Sequence, residues 1–391
     1  MAARSPRVLL CDFRTADISG EIPFLFSKAG CDVEVYCAKN SWLRKNSYAK
    51  VWHAADTTSA ATYVEGLVSL VRAHAYDWVV LTEDTSLRAA HEYLTDTELR
   101  RKILPLSSPA NTRLLGSKMA LSDLATHHGI RTPRFLAVSK IADIEESSIP
   151  FPVVLKVDKS SGGQGVFLCK TLHDAKLVYE ALTEDKRLHL LLQEYISGEN
   201  IAVEALFKNG ALIASATSTV IGTMDGEFGV SCVRDYGSRK DIDEFVERIG
   251  TAFLLSGFCN ITILRDSNDH LYLIEADSRP NIWFAAARHV GLDFSEAIRA
   301  YLSDSPVGVP LRNGNGRLRH FYRDVNRSLE QGDMYNLILW IINSDGRWKC
   351  IPWYDMRLFY FGIRLLITTR KDALVLKHPW LRTLKRLYTW G

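Results

Sequence analysis

Two apolar runs, FPVVLKVD (151–158) and VFLCK (166–170), are separated by little more than the glycine-rich stretch SSGGQG (160–165). The spacing predicts strand, loop, strand: a hairpin that turns back on itself, not the strand-loop-helix of a P-loop, and GxxxxGK(S/T) occurs nowhere in the chain. Glycines in such a loop allow positive φ and leave backbone N–H groups free to line a concave anion site. Lys156 stands on the strand just before it. Taken alone, an ordinary hairpin tip beside a snorkelling lysine has the same signature.

A second feature changes the balance. In LYLIEADSRPN (271–281) an apolar strand runs into alternating Glu275, Asp277 and Arg279. At a period of two these side chains project to one face, two hard carboxylates beside a guanidinium. A surface ion-pair ladder is the plain reading, but carboxylates that close repel unless a cation lies between them, and a magnesium ion there also brings phosphate oxygens. The third feature is LLLQEYISGENIAVEAL (190–206), where an apolar strand ends in Glu194-Tyr195-Ile196 and is followed by Gly198-Glu199. It suits a hinge whose backbone meets an adenine edge, with a carboxylate beyond it for ribose hydroxyls, although any buried strand followed by a polar turn looks similar.

Around these features the chain predicts α/β and α+β organisation. From residue 7, RVLLCDF, CDVEVYCA and WVVLT alternate with helical patterns near 18–29 and 60–75, which argues for a parallel sheet wound by helices. The first strand-to-helix turn lacks GxGxxG, which disfavours a nicotinamide enzyme. ILPLSSPANT (103–112) marks a domain boundary and precedes a helix capped by Ser117 and ended at Gly129. Between 190 and 277 five strand-like segments surround one helix at 241–256, with Asp241 and Glu244 placed as a capping pair. Asp293 and Glu296 open another helix. Seven scattered cysteines without a CxxC signal neither a disulfide framework nor a thiolate zinc site and fit a reducing compartment. No HExxH or GxSxG occurs, and a net charge of +3 gives no ground for nucleic-acid coating.

In this order, the glycine hairpin, the hinge-like strand end and the EADSR strand end, with Lys118 at the start of SKMALSDLATHHG, resemble the ATP-grasp superfamily. The likeness is to carboxylate-amine ligases and to the synthetase half of carbamoyl phosphate synthetase, and it covers roughly 105 to 305. It implies an N-terminal pre-ATP-grasp α/β domain (1–109), a small lobe with the glycine loop (110–189), a large lobe with hinge and metal site (190–310), and an extension (311–391). By the same resemblance Lys118 and Lys156 contact the phosphates of ATP. The loop of Ser160, Ser161, Gly162, Gly163, Gln164 and Gly165 closes over them. Glu194, Tyr195 and Ile196 form the adenine hinge, with main-chain contacts from 194 and 196, and Glu199 binds ribose. Glu275 and Asp277 hold one or two Mg²⁺ (or Mn²⁺) ions, and Arg279, with Lys156, acts on the transferred phosphoryl group.

Two departures stand out. Thr262 occupies a place where many relatives have a carboxylate or glutamine, and the proline that follows their metal-site asparagine is absent around Asp277. The implied activity is ligation of a carboxylate to an amine, both small molecules, through an acyl phosphate with release of ADP and phosphate. The alternatives are a bicarbonate-using enzyme of carbamoyl-phosphate or carboxylase type and, because of Thr262, an ATP-binding module without turnover. Glu204 suits the acceptor site or a cross-strand pair, and Asn281 a loop contact. A cytoplasmic protein is expected, without a secretory signal at MAARSPRVLLCDF; a homodimer is left open.

From 346 onward ten Lys and Arg face two Asp, a net +8 that leaves the preceding residues at −5, and four of the nine tryptophans fall here. The expectation is that the aromatics pack back on the body while the charges, including Arg382, Lys385 and Arg386, stay in water. The competing reading is contact with a membrane surface or a large acidic or lipid-linked acceptor.

Overall fold

The computed structural model describes residues 4–106, 108–160, 162, 163, 165–224, 226–303 and 306–377, with side chains as far as 368. Ser161, Gln164 and the basic residues Arg382, Lys385 and Arg386 lie outside the described residues.

Four strands open the chain: β1 (Arg7–Asp12), β2 (Asp32–Cys37), β3 (Val51–Ala54) and β4 (Trp78–Leu81). They form a parallel sheet in the order β3-β2-β1-β4. Val8, Leu9, Leu10 and Cys11 are fully buried, as a central strand covered by helices on both faces requires. The short, largely exposed β3 carries no such apolar run and was not expected from the sequence.

Next come β5 (Phe135–Val138), β6 (Val153–Val157), β7 (Val166–Cys169) and β8 (Leu190–Glu194), an antiparallel sheet in the order β5-β8-β6-β7. The glycine stretch joins β6 to β7, so the hairpin is as predicted. Strand β8 hydrogen-bonds to β5 and β6. The sequence reading grouped 190–194 with the larger lobe, but the hydrogen bonds put the step between the two antiparallel sheets after Glu194.

The third sheet has seven strands: β9 (Glu199–Lys208), β10 (Ala211–Thr223), β11 (Ser231–Tyr236), β12 (Gly257–Arg265), β13 (Leu271–Asp277), β14 (Leu311–Arg312) and β15 (Gly316–Arg319). The order is β13-β12-β9-β10-β11-β15, with β14 beside β10. Residues 311–319, assigned in the sequence reading to the extension, therefore pair into this sheet.

Register fixes what each face presents. Asn260 opposes Glu204 on one side and Asp277 on the other; Thr262 opposes Ala202 and Glu275. The alternate residues Ile201, Val203, Phe207, Ile261 and Ile263 pack with Ile242, Phe245, Val246, Ile249 and Phe253 of the helix Lys240–Phe253. That helix has the apolar spacing read from the sequence but not the capping pair. Arg239 occupies the N-cap without a capping side-chain bond, while Asp241 pairs with Arg265 and Glu244 with Lys240.

Among the described residues three α-helices follow β15, Phe321–Gln331, Met334–Ile341 and Met356–Lys377, with a 3-10 helix, Ser344–Cys350, before the last. Packing of the tail aromatics is divided. Tyr354 stacks on Phe24 at 3.9 Å and Phe361 meets Trp42 at 4.9 Å, as expected, whereas Trp348, Trp353 and Tyr360 are 44%, 48% and 65% exposed. Among the described residues no helix is long and apolar enough to cross a membrane.

The helix Lys240–Phe253 lies so close to the sheet that a Cβ on Gly250 would overlap the Phe207 ring. Gly250→Ala is expected to lower unfolding stability by about 1–3 kcal/mol, read by urea titration, and Phe207→Leu in the same chain should return part of the loss through space freed at the contact. Additive losses would show that the two residues do not share that contact.

Candidate active site

A cavity of about 900 Å³ lies between β6 and β8 of the four-stranded sheet and the polar face of the seven-stranded one. Its wall includes Lys156, Gly162, Gly163, Glu194, Tyr195, Ile196, Glu199, Glu275, Asp277 and Arg279. Lys118 and Ser160 line a smaller hollow of about 60 Å³ that shares Gly162, Glu275, Asp277 and Arg279 with it. Gly165 lines neither; its carbonyl accepts from the Val157 amide at 2.8 Å and closes the hairpin. The glycine hairpin and the acidic strand end, more than a hundred positions apart, thus face one space.

Lys156 is only 7% exposed. Burial pushes its amine down to about 8, with Glu275 opposing that shift and Lys118 adding to it. Lys118 donates to the carbonyls of Asp158 and Ser160, and Ser117, which caps the helix Lys118–His127 as predicted, also donates to Asp158 at 2.9 Å. These bonds tie the hairpin's base to that helix.

Arg279 grips Asp84 through two bonds, 2.6 and 2.8 Å, and reaches Asp277 at 3.1 Å. Asp84, at the start of the helix Asp84–Tyr93 in the N-terminal unit, was missed by the sequence reading. Burial drives the Asp84 carboxyl upward, but the Arg279 guanidinium overrides it and holds it below the usual carboxylate range. At Asp277 burial wins: despite Arg279, it is pushed up to about 7, with Asp84 and Glu275 adding to the rise.

An acidic pair held so unfavourably is the setting a divalent cation relieves. The donors fit one: Glu275 and Asp277 offer hard oxygens, and Asn260 Oδ1, on the strand position in register with Asp277, is buried without a hydrogen-bond partner. Thr262 lines the cavity opposite Glu275. Among the described residues no three His, Cys, Asp or Glu side chains cluster as a metal site.

The segment Glu194–Ile196, expected as a hinge, is more constrained than its sequence shows. The Glu194 carboxylate pairs with Arg134 at 3.2 and 3.3 Å, and its amide donates to the Arg134 carbonyl at 2.8 Å. Tyr195 donates to Glu227 at 2.9 Å. Glu227 lies on the turn between β10 and β11, and a Cβ on Gly163 (φ +76°) would overlap the Phe228 carbonyl on that same turn. Hinge and glycine hairpin therefore meet one turn of the opposite sheet, and only glycine fits where the hairpin touches it. Glu199 accepts from Thr219 at 2.6 Å and Arg239 at 2.8 Å. Burial pushes its carboxyl up, but those partners hold it below the ordinary range. Its neighbour Asn200 shares the cavity face with Ala202 and Glu204, and Asn200 Oδ1 is buried without a partner.

At the cavity's far end Glu204 pairs with Arg234 at 2.6 Å, and Asn281 donates to the same carboxylate oxygen at 3.3 Å. Asn281 also caps the helix Ile282–Ala286. Arg234 lies 4.5 Å from the ring centre of Trp283. Glu204 is thus the buried cross-strand partner that the sequence left as one of two options. Arg234, Asp84, Asn200 and Asn260 carry no short-range motif; only strand alternation, once the register was known, could have found the last two.

Residues 117–302 match the profile of the RimK-like ATP-grasp domain. A carbamoyl-phosphate synthase of Methanobrevibacter smithii is 28% identical over 101 residues, 26% of each chain. A D-alanine–D-alanine ligase of Pseudomonas putida is 23% identical over 216 residues, 49% of this chain and 66% of that one. The chain thus spans a quarter to about two thirds of the length of these relatives. Among solved structures, the carboxyaminoimidazole ribonucleotide synthase of Aspergillus clavatus complexed with ATP superposes with a TM-score of 0.64 at 17% identity, covering 81% of this chain and 82% of that one.

The Glu204–Arg234 pair is shut away from water, so removing one charge leaves the other buried alone. Arg234→Met is expected to lose about 3–5 kcal/mol of stability in thermal or urea unfolding, and adding Glu204→Gln should recover much of it. Equal stability of Arg234→Met and the parent would show that the pair is not desolvated in solution.

Proposed function

Residues 117–302 are an ATP-grasp domain, and from that premise we propose that the protein is an ATP-dependent ligase joining a small-molecule carboxylate to an amine. The observation that carries this reading is the cavity itself, which has Lys156 and the glycine hairpin on one wall and Glu275, Asp277 and Arg279 on the other. The γ-phosphoryl group of ATP passes to a carboxylate oxygen: a P–O bond forms there, the bond to the ADP oxygen breaks, and an acyl phosphate results. The amine nitrogen then adds to the acyl carbon and loses a proton as the bond to phosphate breaks. Amide, ADP and phosphate are the products. Activation is needed because a carboxylate is a poor electrophile, whereas phosphate leaves readily.

Most of the catalysis asked of this chain is electrostatic. Lys156 and Lys118 meet the phosphates, with the backbone of Gly162 and Gly163 above them. The Glu194 amide is already engaged by Arg134, so the Glu194 carbonyl and the Ile196 main chain serve the adenine edge. Ribose hydroxyls meet Asn200 or the Glu199 carboxylate beside it. Arg279, fixed by Asp84, spreads the charge of the transferring phosphoryl group. A magnesium ion, held by Glu275, Asp277 and the Asn260 oxygen, supplies positive charge to the phosphate oxygens when bound. The rival activities separate in one assay, ADP release from ATP and magnesium. Dependence on an acid-amine pair supports ligation, dependence on bicarbonate supports carboxylation, and nucleotide binding without release marks a module.

Two outcomes follow for the phosphate site. Arg279→Ala should lower turnover by roughly 10²–10³ while ATP affinity changes less; equal loss of both would assign Arg279 to folding through Asp84. Lys156 loses its proton as pH rises through about 8 in the free protein, and a bound phosphate favours the protonated form. ATP affinity should therefore fall across that pH, with proton uptake on binding visible by calorimetry in buffers of different ionisation enthalpy. Lys156→Arg, protonated throughout, should abolish that dependence; an unchanged pH profile would remove Lys156 from the phosphates.

A further inference from the structure

The helix Met334–Ile341 is inside out. Its buried positions are Asn336 and Trp340, while Met334, Tyr335, Ile338, Ile341 and the following Ile342 are 63%, 72%, 49%, 72% and 63% exposed. Those five fall at the spacing i, i+1, i+4, i+7, i+8, a single apolar stripe turned to solvent.

The reason lies beneath it. Asp324 is fully buried, and the helix supplies two of its donors, Asn336 at 3.0 Å and Trp340 at 2.8 Å; Arg327 adds a third at 2.7 Å. Asn336 Oδ1 accepts from buried Arg347 at 2.6 Å. Satisfying that carboxylate turns the polar face inward and leaves the apolar one outside. Trp348, which donates to the Trp340 carbonyl at 2.7 Å, continues the patch to Trp353 at 6.4 Å between ring centres. Phe359 carries it on to Tyr360 and the helix Met356–Lys377.

We propose that this face docks on an anionic lipid bilayer, with the apolar stripe in the headgroup boundary and the neighbouring arginines and lysines against lipid phosphates. Exposed apolar side chains interleaved with Trp and Tyr are the composition of an interfacial, non-spanning surface. The charge around the patch chooses the occupant. Arg357 and Arg364 are exposed on the adjoining helix, and Lys45 of the N-terminal unit reaches across to it, 5.5 Å from the Phe361 ring centre. Arg44, Arg357, Lys39 and Arg364 all lie close enough to Lys45 to add to the lowering that burial gives its amine. Of the three acidic residues between 333 and 368, Asp333 caps Asn336 and Asp355 takes the Ser47 and Leu358 amides, leaving Asp345 exposed. A second copy packed on the same face about a two-fold axis would bring one basic rim against another; an anionic bilayer supplies the opposite charge.

The test is sedimentation of the full chain with vesicles of phosphatidylcholine mixed equally with phosphatidylglycerol, beside vesicles of phosphatidylcholine alone. Binding is expected to the anionic vesicles, weaker to the neutral ones and weakened by salt. Ile341→Ser with Ile342→Ser should abolish it, and Arg357→Gln and Arg364→Gln should each reduce partitioning roughly fivefold. All four positions are exposed, and unchanged circular dichroism checks their folding. A chain that stays in the supernatant with anionic vesicles overturns the proposal, as does undiminished binding by the serine variant. A dimer in sedimentation velocity that the serine variant dissolves would give the face to a second copy and overturn it too.

Discussion

Everything in the site hangs on the two-residue period of the seven-stranded sheet. Along β9, Ile201, Val203, Ala205 and Phe207 face the helix Lys240–Phe253 and build the core; Asn200, Ala202 and Glu204 face the cavity. Strand β12 repeats the division, with Cys259, Ile261 and Ile263 in the core and Asn260 and Thr262 opposite. A slip of one residue would bury the carboxylates of β13 in that core and expose the aliphatic set. The hydrophobic contacts that hold the sheet in register are thus the same ones that aim the polar side chains. Folding and function are not separable here: the core is what fixes the acids and amides in place.

Holding those groups together is electrostatically unfavourable in the free protein, and the structure distributes the strain unevenly. Asp84 and Asp277 share Arg279, but only Asp84 takes both of the short guanidinium bonds, so only it stays comfortably ionised. Asp277, with one longer bond and two carboxylates nearby, is the group most relieved by added positive charge. Lys156 across the cavity is the converse, a cation pushed toward neutrality by burial. Both ends of the pocket improve together when a polyanion and a cation enter together, which is the combination that the proposed nucleotide with its metal would bring. Deeper in the cavity Glu204 and Arg234 already pair with each other through one carboxylate oxygen, while Glu204 Oε2 is buried without a partner.

What was legible in the sequence is what one strand encodes by itself. The glycine hairpin and EADSR need only local periodicity to be read, and the parallel opening sheet follows from its near-continuous apolar runs. The rest depends on partners distant along the chain. Asp84 meets Arg279 across 195 positions. Nothing near Glu194 in the sequence shows that Arg134, sixty positions earlier, holds its carboxylate. Strand Leu190–Glu194 is apolar enough for either antiparallel sheet, and only its hydrogen bonds to β5 and β6 decide. Glu199 drew attention because it is charged, whereas the uncharged Asn200 beside it, which lines the same cavity, did not. Each miss comes from reading side-chain chemistry before strand direction.

The tail departs from its expected packing for a related reason. Leaving apolar side chains in water is unfavourable by roughly 25 cal/mol per Å² of exposed apolar surface, and a helix that simply rolled over would bury Ile338, Ile341 and Ile342. It would also withdraw the Asn336 and Trp340 donors from Asp324, leaving that buried carboxylate to Arg327 and Arg319 alone, and a buried acceptor left unmade is penalised by about 1–3 kcal/mol. The polar hub therefore decides the helix's rotation, and the apolar stripe inherits whatever lies outside. Because the hub is built from Asp324, Asn336, Trp340, Arg327 and Arg347, all within the last strand-free segment, the outward face is set locally.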